Sequence, residues 1–392
     1  TKTIELTAID GYPTKASWVN RFQKFLGGSM FRNKTMTKVS FSVLAAAAVT
    51  VIGLSSPAHA TKTIELTAID GYPTKASWVN RFQKFYIPNI DKALAKTGNY
   101  KIKWNQAWGG QIVKPKHVLE GLQKGLGDIG VVTTVFHPDK VPMQGVAYNT
   151  PFVSTDGGLI SKTVDDMANK FPKMKGAWKK YNQHYLTNLV VLDTYNMFTR
   201  KKISSPSDLK GLKIAGAGAN LKWLKGLGAV GVGGSLVGYY NKLKTGVVDG
   251  AIVWVEAAAG KFKLVQVAPY MLDARMGAVN SKAITVNSKT WAKLPAEVQK
   301  VLQDEGIKYR VHMAGFAMKK AAKMKKVFVK KKGTIVPVSE DARMAWAKGM
   351  PSVGKQWAAS LDKKGLPGTA ALKFYMDAMR AGNQPILRHW DK

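Results

Sequence analysis

The chain has 392 residues, of which 45% are hydrophobic and none is cysteine, and its formal net charge is +36. This length and apolar content exclude a disordered chain and suffice for two packed domains. The lack of cysteine excludes disulfide bonds, thiolate metal sites and cysteine nucleophiles.

The start of the chain contains a duplication. Residues 1–25 repeat residues 61–85 letter for letter, and the four residues that follow the first copy, 26–29, read LGGS, a composition typical of a linker. A natural precursor has no reason to place a copy of its own mature start ahead of its leader. We therefore predict that residues 1–29 are an added segment and linker that takes no part in the fold.

A secretion signal follows the duplication. Met30 opens a basic segment, residues 41–54 form an apolar run, and residues 57–60 read PAHA, a small-x-small cleavage site. The apolar run is too short to cross a bilayer but has the length of a signal-peptide core. A buried core helix is the alternative, but it does not explain the order of these three features. We predict a signal peptide at 30–60 and a periplasmic protein of a Gram-negative bacterium, without stable membrane insertion.

Strand and helix patterns then alternate along the chain. Short apolar or alternating runs predict strands at residues 63–66, 100–104, 128–132, 186–193, 212–215, 250–253 and 280–286. Helical periodicity predicts helices at residues 75–96 (interrupted by Pro88), 116–124, 220–225, 236–244 and 295–332. This alternation predicts an α/β protein with parallel sheets and helices on both of their faces, in which a ligand would bind beyond the carboxyl ends of the strands.

The motifs of common enzymes are incomplete in this sequence. Residues 226–231 match the GxGxxG spacing of dinucleotide sites, but they follow a helical segment instead of opening a helix after a strand, so a glycine-rich turn is the better interpretation. Ser235 lacks the final glycine of a nucleophile elbow. No two histidines have the spacing of a zinc helix, and His137 fits a structural loop position better than a ligand contact. We predict that the chain is not an enzyme and binds no cofactor.

Aromatic residues collect at the ends of predicted strands. Nearly all of the aromatic residues concerned lie at or just beyond a predicted strand end, and they are Tyr72, Trp78, Trp108, Phe136, Tyr195, Trp223 and Trp254. Each alone fits a core position. Their common placement indicates a ligand cleft, because pockets for small molecules are rich in aromatic side chains.

The positive charge is spread along the whole chain and is mostly lysine. Nucleic-acid readers favour arginine at base edges and aromatic side chains at stacking positions. The densest basic run, residues 319–332, lies on the predicted long helix and has no such aromatic spacing, which is typical of a solvated helix face. We therefore expect no specific nucleic-acid partner. A highly basic, even supercharged, scaffold that binds polyanions without specificity remains the alternative function.

Several motifs, in a fixed order, resemble the solute-binding proteins of tripartite ATP-independent periplasmic (TRAP) transporters. They are residues 108–111 (WGGQ), 122–129 (LQKGLGDI), 150–152 (TPF), 205–214 (SPSDLKGLKI), 228–229 (GA), 243–250 (LKTGVVDG) and 294–299 (LPAEVQ). The resemblance extends over essentially all of residues 61–392.

The resemblance implies a two-lobed Venus-flytrap fold of the DctP-like family, with parallel or mixed sheets and a long C-terminal linking helix. It assigns residues 61–192 and 279–320 to lobe I and residues 193–278 and 321–392 to lobe II. It also implies a receptor that closes on a small organic solute and delivers it to the membrane permease of a TRAP transporter.

One position departs from the family pattern. Relatives usually carry an arginine after the GLKI run, where it pairs with the carboxylate of the solute, but this chain has Ala215. Alanine cannot replace the planar, bidentate guanidinium. Arg200, Arg275 and Lys282 are cations near enough in sequence to substitute, and the sequence does not place them. A pocket with more aromatic and fewer cationic groups favours an aromatic or other apolar carboxylate, or a hydroxylated neutral solute.

Motif matches and strand-end positions together give the candidate ligand contacts. They are Tyr72, Trp78, Trp108, Gln111, Thr133, Phe136, Tyr195, Asn196, Ala215, Asn220, Ser235, Leu236, Trp254, Glu256 and Asn280. Glu256 and Gln111 could offer oxygen ligands to a hard cation that bridges a hydroxy or keto acid. Nothing in their spacing requires this, so we predict no metal.

Overall fold

The computed structural model describes residues 60–392, and the predicted duplication, linker and signal peptide lie outside these residues except at Ala60. The strands are β1 (Lys62–Asp70), β2 (Tyr100–Trp108), β3 (Ile129–Thr133), β4 (Gln183–Val190), β5 (Asn196–Thr199), β6 (Lys213–Gly216), β7 (Val230–Gly233), β8 (Gly250–Val253), β9 (Tyr270–Asp273), β10 (Asn280–Asn287) and β11 (Thr334–Pro337). The α-helices are α1 (Ser77–Arg81), α2 (Ile87–Leu94), α3 (Val118–Gln123), α4 (Gly157–Lys170), α5 (Pro172–Lys179), α6 (Leu236–Lys244), α7 (Val255–Ala259), α8 (Ser288–Lys293), α9 (Ala296–Lys330), α10 (Glu340–Gly349), α11 (Val353–Asp362) and α12 (Gly368–Ala381).

The strands form two mixed sheets. The first has the order β2-β1-β3-β10-β4, and the second has the order β11-β9-β5-β8-β6-β7. In the first sheet β1 pairs in parallel with β2 and β3, whereas β10 runs antiparallel to β3 and β4. In the second sheet β5 is the strand that runs antiparallel to its neighbours β8 and β9. Because β10 is antiparallel, its first residues meet the carboxyl end of β3.

The chain passes between the two sheets at adjacent places. It leaves β4 for β5 through Thr194 and Tyr195, and it returns from β9 to β10 through residues 274–279. These two crossing segments bond to each other, since the amide of Tyr195 donates to Gly277 O (3.0 Å) and the amide of Gly277 donates to Thr194 Oγ1 (3.0 Å). Gly277 has φ of +105°, a conformation that side chains disfavour. The two crossing segments are therefore held together by hydrogen bonds where they connect the two sheets.

The long helix α9 is the third connection between the sheets. It packs on β4 and α4 near its start and on α7 and β11 further along. Tyr309 stacks on Tyr86 beside the first sheet (ring centroids 5.4 Å apart), and Phe328 packs edge-on against Phe198 of the second (5.5 Å). No helix within residues 60–392, α9 included, is both long and apolar enough to cross a bilayer.

The predicted elements are present, with shifted ends. The helix expected at 75–96 contains a π-helical turn at Phe82–Tyr86, and Pro88 is accommodated near the start of α2, where its missing N–H costs least. The segment expected as a helix at 220–225 is a 3₁₀ helix, Ala219–Leu224. Residues 226–231 lead from it into β7, as expected for a glycine-rich turn. Helices α4, α5, α7 and α8 and the four-residue strands β5, β7, β9 and β11 were not among the predicted elements, and β7 in addition is glycine-rich.

The start of α4 gives a direct test of local stability. Asp156 is the N-cap of this helix, and its Oδ1 accepts a hydrogen bond from the amide of Leu159 at 2.9 Å. We expect Asp156→Ala to lower the free energy of unfolding by about 1 kcal/mol, since an amide at the helix start loses its partner. Urea denaturation measures the loss. Asp156→Ser keeps an acceptor at the cap, and a loss as large as that of the alanine variant would contradict the capping role.

Candidate functional site

A small cavity lies where the carboxyl ends of strands from both sheets meet. Its volume is about 30 Å³. The residues that line it are Tyr72, Trp78, Thr133, Val135, Phe136, Tyr148, Tyr195, Ala217, Leu236, Tyr239, Ile252, Val253, Trp254, Ser281 and Lys282. Tyr72 and Trp78 follow β1, Thr133 ends β3, and Trp254 follows β8. This is the edge at which open α/β sheets bind their ligands.

Seven of the fifteen residues that line the cavity are aromatic. Trp78 packs edge-on against Tyr72, with ring centroids 4.9 Å apart, and lies 6.3 Å from Trp254. Tyr195 packs edge-on against Trp254 at 5.9 Å. The hydroxyls of Tyr195 and Tyr148 are 3.1 Å apart, within hydrogen-bonding distance. All five side chains are buried. Aromatic faces and edges on several sides suit a flat apolar group.

Lys282 places a cation in this apolar setting. It lies on β10 directly opposite Thr133 of β3, and its side chain is 3% exposed. Nζ donates to Thr133 Oγ1 at 2.7 Å and stands over the rings of Tyr72 and Trp78, 4.6 and 4.3 Å from their centroids. Burial lowers the pKa of Lys282 to about 7, against the opposite effect of the Asp70 charge. An anion that reached Nζ would supply the charge partner that the ammonium lacks at close range.

Asp70 is the nearest compensating charge. This residue ends β1 and is 1% exposed. Its two oxygens accept hydrogen bonds from the amide of Tyr72 (2.8 Å) and from Trp78 Nε1 (3.0 Å). Among residues 60–392, no carboxylate lies within the 4.0 Å of a direct ion pair with Lys282. Burial raises the pKa of Asp70 to about 7, while the positive charge of Lys282 lowers it. The carboxylate thus orients two walls of the cavity and faces the ammonium at longer range.

Two further groups at the cavity suit an anion. Helix α6 begins after Ser235, whose side chain makes no capping bond, and its first residue, Leu236, lines the cavity. The amides at a helix start favour negative charge, and the amide of Leu236 faces the hydroxyl of Tyr72. Ser281 is buried beside Lys282, and its Oγ has no hydrogen-bond partner in the part of the chain that the structure describes.

About half of the residues predicted from the sequence line this cavity. They are Tyr72, Trp78, Thr133, Phe136, Tyr195, Leu236 and Trp254. The predicted residues that do not line it are Trp108, Gln111, Asn196, Ala215, Asn220, Ser235, Glu256 and Asn280. Several of these have structural contacts instead. Asn220 Oδ1 accepts from the amide of Ala217 (2.9 Å), which itself lines the cavity, and Asn280 Nδ2 donates to Gln144 O (2.9 Å).

The other residues outside the cavity lie in the core, at the surface or in a neighbouring groove. Trp108 packs edge-on against Phe82 at 5.5 Å, and Gln111 is exposed. Ala215 is fully buried in β6, which lies between β7 and β8. Asn196 Oδ1 accepts from the amide of Arg275 at 2.8 Å, in the crossing between the sheets.

Glu256 faces a separate groove of about 490 Å³ between α1, α7 and α9. Its Oε2 accepts from Trp254 Nε1 at 3.2 Å, and burial raises its pKa. The exposed Gln111 lines neither this groove nor the cavity. Within residues 60–392, no cluster of three or more His, Cys, Asp or Glu side chains could hold a metal ion.

A larger groove, of about 600 Å³, lies at the opposite end of the first sheet. Its walls include Lys62 and Tyr100, the first residues of β1 and β2, together with Pro295 ahead of α9. This groove is therefore at the amino ends of the strands, and it is open to solvent. The smaller cavity has the position and the buried polar groups expected of a ligand site.

Of the three cations left open by the sequence, only Lys282 lines the cavity. Arg275 is 45% exposed and lies 3.6 Å from Glu340 at the surface. Arg200 is exposed beside Gly246. Sequence reasoning also missed Tyr148, Tyr239 and Ser281, which line the cavity from outside the matched motifs. A usable signal for Lys282 existed, because a lysine inside an otherwise buried strand run is rare unless it is paired.

The comparisons with known proteins agree with this architecture. The family model described as "Bacterial extracellular solute-binding protein, family 7" (DctP) matches residues 86–361. A TRAP solute-binding protein of Rhodoferax ferrireducens, solved with copurified benzoate, superimposes with a TM-score of 0.72 at 18% identity, covering 82% of this chain and 98% of that one. A TRAP periplasmic solute-binding protein of Bordetella bronchiseptica with bound mandelate gives 0.71 at 21% identity, covering 81% and 99%.

A third similar structure is an extracytoplasmic solute receptor of Bordetella pertussis that binds pyroglutamic acid. It gives a TM-score of 0.69 at 17% identity and covers 81% of this chain and all of its own. At such identities the likeness shows the periplasmic-binding-protein fold, whereas the family model covers most of the sequence. The chain therefore belongs to family 7 of the bacterial extracellular solute-binding proteins, the DctP family of TRAP transporter receptors, which bind solutes for transport and are not enzymes.

Proposed function

We propose that this chain is the extracytoplasmic receptor of a TRAP transporter for a small aromatic or otherwise apolar monocarboxylic acid. The solute binds in the cavity between the two sheets, with its carboxylate on Lys282 and its apolar part among the aromatic side chains. The buried ammonium of Lys282 between Tyr72 and Trp78 is the observation that carries this proposal.

The charge of the cavity supports a single carboxylate. Of the described residues that line it, Lys282 is the one with a cationic side chain. A charge-assisted hydrogen bond from Nζ to a carboxylate, made away from water, is stronger than one between neutral groups. A second carboxylate would have no cation and would meet Asp70, so a dicarboxylate is disfavoured. Lys282 takes the place of the arginine that is missing at Ala215, although it lies on a different strand.

The walls support an apolar body for the solute. Trp78, Trp254 and Tyr195 meet at edge-on or tilted angles, the arrangement in which a further aromatic ring packs favourably. The cavity of about 30 Å³ is far smaller than the roughly 150 Å³ that binds benzene in a model protein. A ring-sized solute therefore requires the walls to move apart and to close again over it, as in hinged receptors.

Partners and location follow from the family and remain part of the proposal. A receptor of this class hands its solute to the membrane permease of its transporter, which distinguishes the closed form from the open one. The predicted signal peptide at 30–60 would deliver the chain to the periplasm. Benzoate, mandelate and pyroglutamate, bound by similar structures, define the first solutes to test.

A thermal-shift screen, followed by calorimetric titration of the hits, tests the function. We expect benzoate or mandelate to raise the melting temperature, because a ligand that binds only the folded chain stabilises it by mass action. Succinate and the neutral analogue benzamide serve as controls, and both should give much smaller shifts. A response to succinate equal to that of benzoate would contradict the preference for monocarboxylates.

The same screen separates the receptor from a polyanion-binding scaffold. Heparin is added as a polyanion at low and at high salt. Binding of a carboxylate in the buried cavity should persist at high salt, whereas binding to exposed lysines is screened. Stabilisation by heparin alone, lost at high salt, would overturn the proposed receptor function.

A further inference from the structure

The cavity holds two opposite charges that are not in direct contact. Asp70 and Lys282 are 1% and 3% exposed, and the hydrogen bonds of each go to neutral groups. The carboxylate binds the amide of Tyr72 and the indole of Trp78, while the ammonium stands over the rings of the same two residues. The described cluster is therefore neutral when both groups are ionised, and it is closed to water.

A solute carboxylate changes this charge count. Its arrival at Lys282 would put two carboxylates around one ammonium, leaving a net negative charge in a buried, low-dielectric site. Such a charge is costly, and the usual response of a protein is a change of protonation. We propose that Asp70 takes up a proton when the carboxylate of the solute binds to Lys282, so that the occupied cavity carries no net charge. The inference rests on the proposed function, and it states in addition that binding of the solute is coupled to the uptake of a proton.

No other described group facing Asp70 offers an alternative site for this proton. Asp70 meets Lys282 from β10, Tyr72 from the segment after β1, and Tyr309 from α9. Burial raises the pKa of Tyr72 and of Tyr309 above the ordinary value of a phenol, so both are already protonated at neutral pH. Neither can accept a further proton from solution. Among the described groups of the protein, the proton therefore goes to Asp70 or Lys282.

The direction of the pH dependence follows from the two groups that titrate. Burial raises the pKa of Asp70 to about 7 and lowers that of Lys282 to about 7, so each is partly deprotonated near or above neutral pH. A bound anion favours the protonated form of both. Binding thus takes up protons at pH 8 and few at pH 5.5, where both sites are already filled. Affinity for the anion falls as pH rises above 7, by up to about tenfold per pH unit for each proton taken up.

Calorimetric titration with benzoate in two buffers of different ionisation enthalpy measures the protons taken up per binding event. Lys282 alone supplies at most one. We therefore expect more than one proton at pH 8 in the wild-type chain, few at pH 5.5, and at most one at pH 8 in Asp70→Asn. Mandelate is titrated in parallel as a second probe.

Asp193→Asn is the matched control, because Asp193 is another buried carboxyl whose pKa burial raises, to about 6, but it does not line the cavity. This variant should take up as many protons as the wild type. Uptake of one proton or fewer by the wild-type chain at pH 8 overturns the role of Asp70, whether or not the asparagine variant folds. Equal uptake by wild type and Asp70→Asn overturns it as well. If neither carboxylate binds at any pH, the proposed function itself fails, which is a distinguishable result.

Discussion

We expect Lys282→Met to weaken the binding of benzoate about a hundredfold or more at pH 6.5. The variant removes the ammonium that the solute carboxylate would contact and leaves that carboxylate buried without a partner. Truncating one member of a buried charge pair typically costs 2–5 kcal/mol, and a hundredfold change in affinity corresponds to about 2.8 kcal/mol. Calorimetric titration measures the change directly.

The same variant should fold as well as the wild type. Methionine has nearly the length of the lysine chain and carries no charge to desolvate, and replacing a buried charge by an apolar group of similar volume is often neutral or stabilising. Asp70 would then be protonated, as burial already favours. Thermal unfolding checks this point.

Arg275→Gln provides the control for Lys282→Met. Arg275 is a cation from the same part of the sequence, but it is 45% exposed and near Glu340. Its loss should change affinity by less than about twofold, since exposed ion pairs contribute little. Benzoate affinity in a folded Lys282→Met variant within threefold of wild type would contradict the assignment of Lys282.

The second large effect is expected at Trp223, behind the cavity wall. Trp223 is fully buried between Tyr148, with ring centroids 6.0 Å apart, and Tyr195, at 5.4 Å. Its Nε1 donates to Tyr148 O at 2.8 Å, and its own carbonyl accepts from Trp346 Nε1 at 2.7 Å. Trp223→Ala should lower the free energy of unfolding by about 3–5 kcal/mol, because a large cavity replaces the indole.

Two variants separate this effect from a general loss of an aromatic residue. Trp223→Phe fills most of the space and should cost less, chiefly through the lost hydrogen bond to Tyr148 O. Trp104→Ala is a matched control, because Trp104 is only partly buried on the edge strand β2. Urea denaturation of all three variants gives the ranking. An equal loss at positions 104 and 223 would show that Trp223 has no special role in supporting the wall.

The local pattern of the sequence was enough to predict where several of the main helices and strands begin and end. Helix α6 has the predicted bounds, α9 begins and ends within two residues of its prediction, and β8 coincides with its apolar run. Local periodicity was enough to place all three, and Pro295 also marks the start of α9, so no distant contact was needed. The relative direction of the strands could not be predicted in this way, because nothing in the sequence of a strand such as β10 reveals whether its neighbours run parallel to it.

At the candidate site, too, some residues could be identified from the sequence, whereas the role of others is shown only by their contacts. Tyr72 and Trp254 lie within two residues of a strand end, and Trp78 lies in the helix after β1. In an α/β protein such positions converge, and all three residues line the cavity. Asn280 and Asn220 resemble ligand contacts, yet their amides bond to backbone groups. A polar side chain near a strand end has either role, and only its partners decide between them.

The sequence by itself determined that this protein is an α/β member of the TRAP receptor family, that it lacks the usual arginine at Ala215, and that its strand ends are aromatic. The tertiary structure decided which cation lines the cavity, and we propose that this cation, Lys282, takes the role of that arginine. Lys282 reaches the cavity because antiparallel pairing sets it opposite Thr133, 149 residues away along the chain. A shift of one residue in this register would turn the lysine to the other face of the sheet. Long-range register, which no local pattern encodes, therefore fixes the charge of the site.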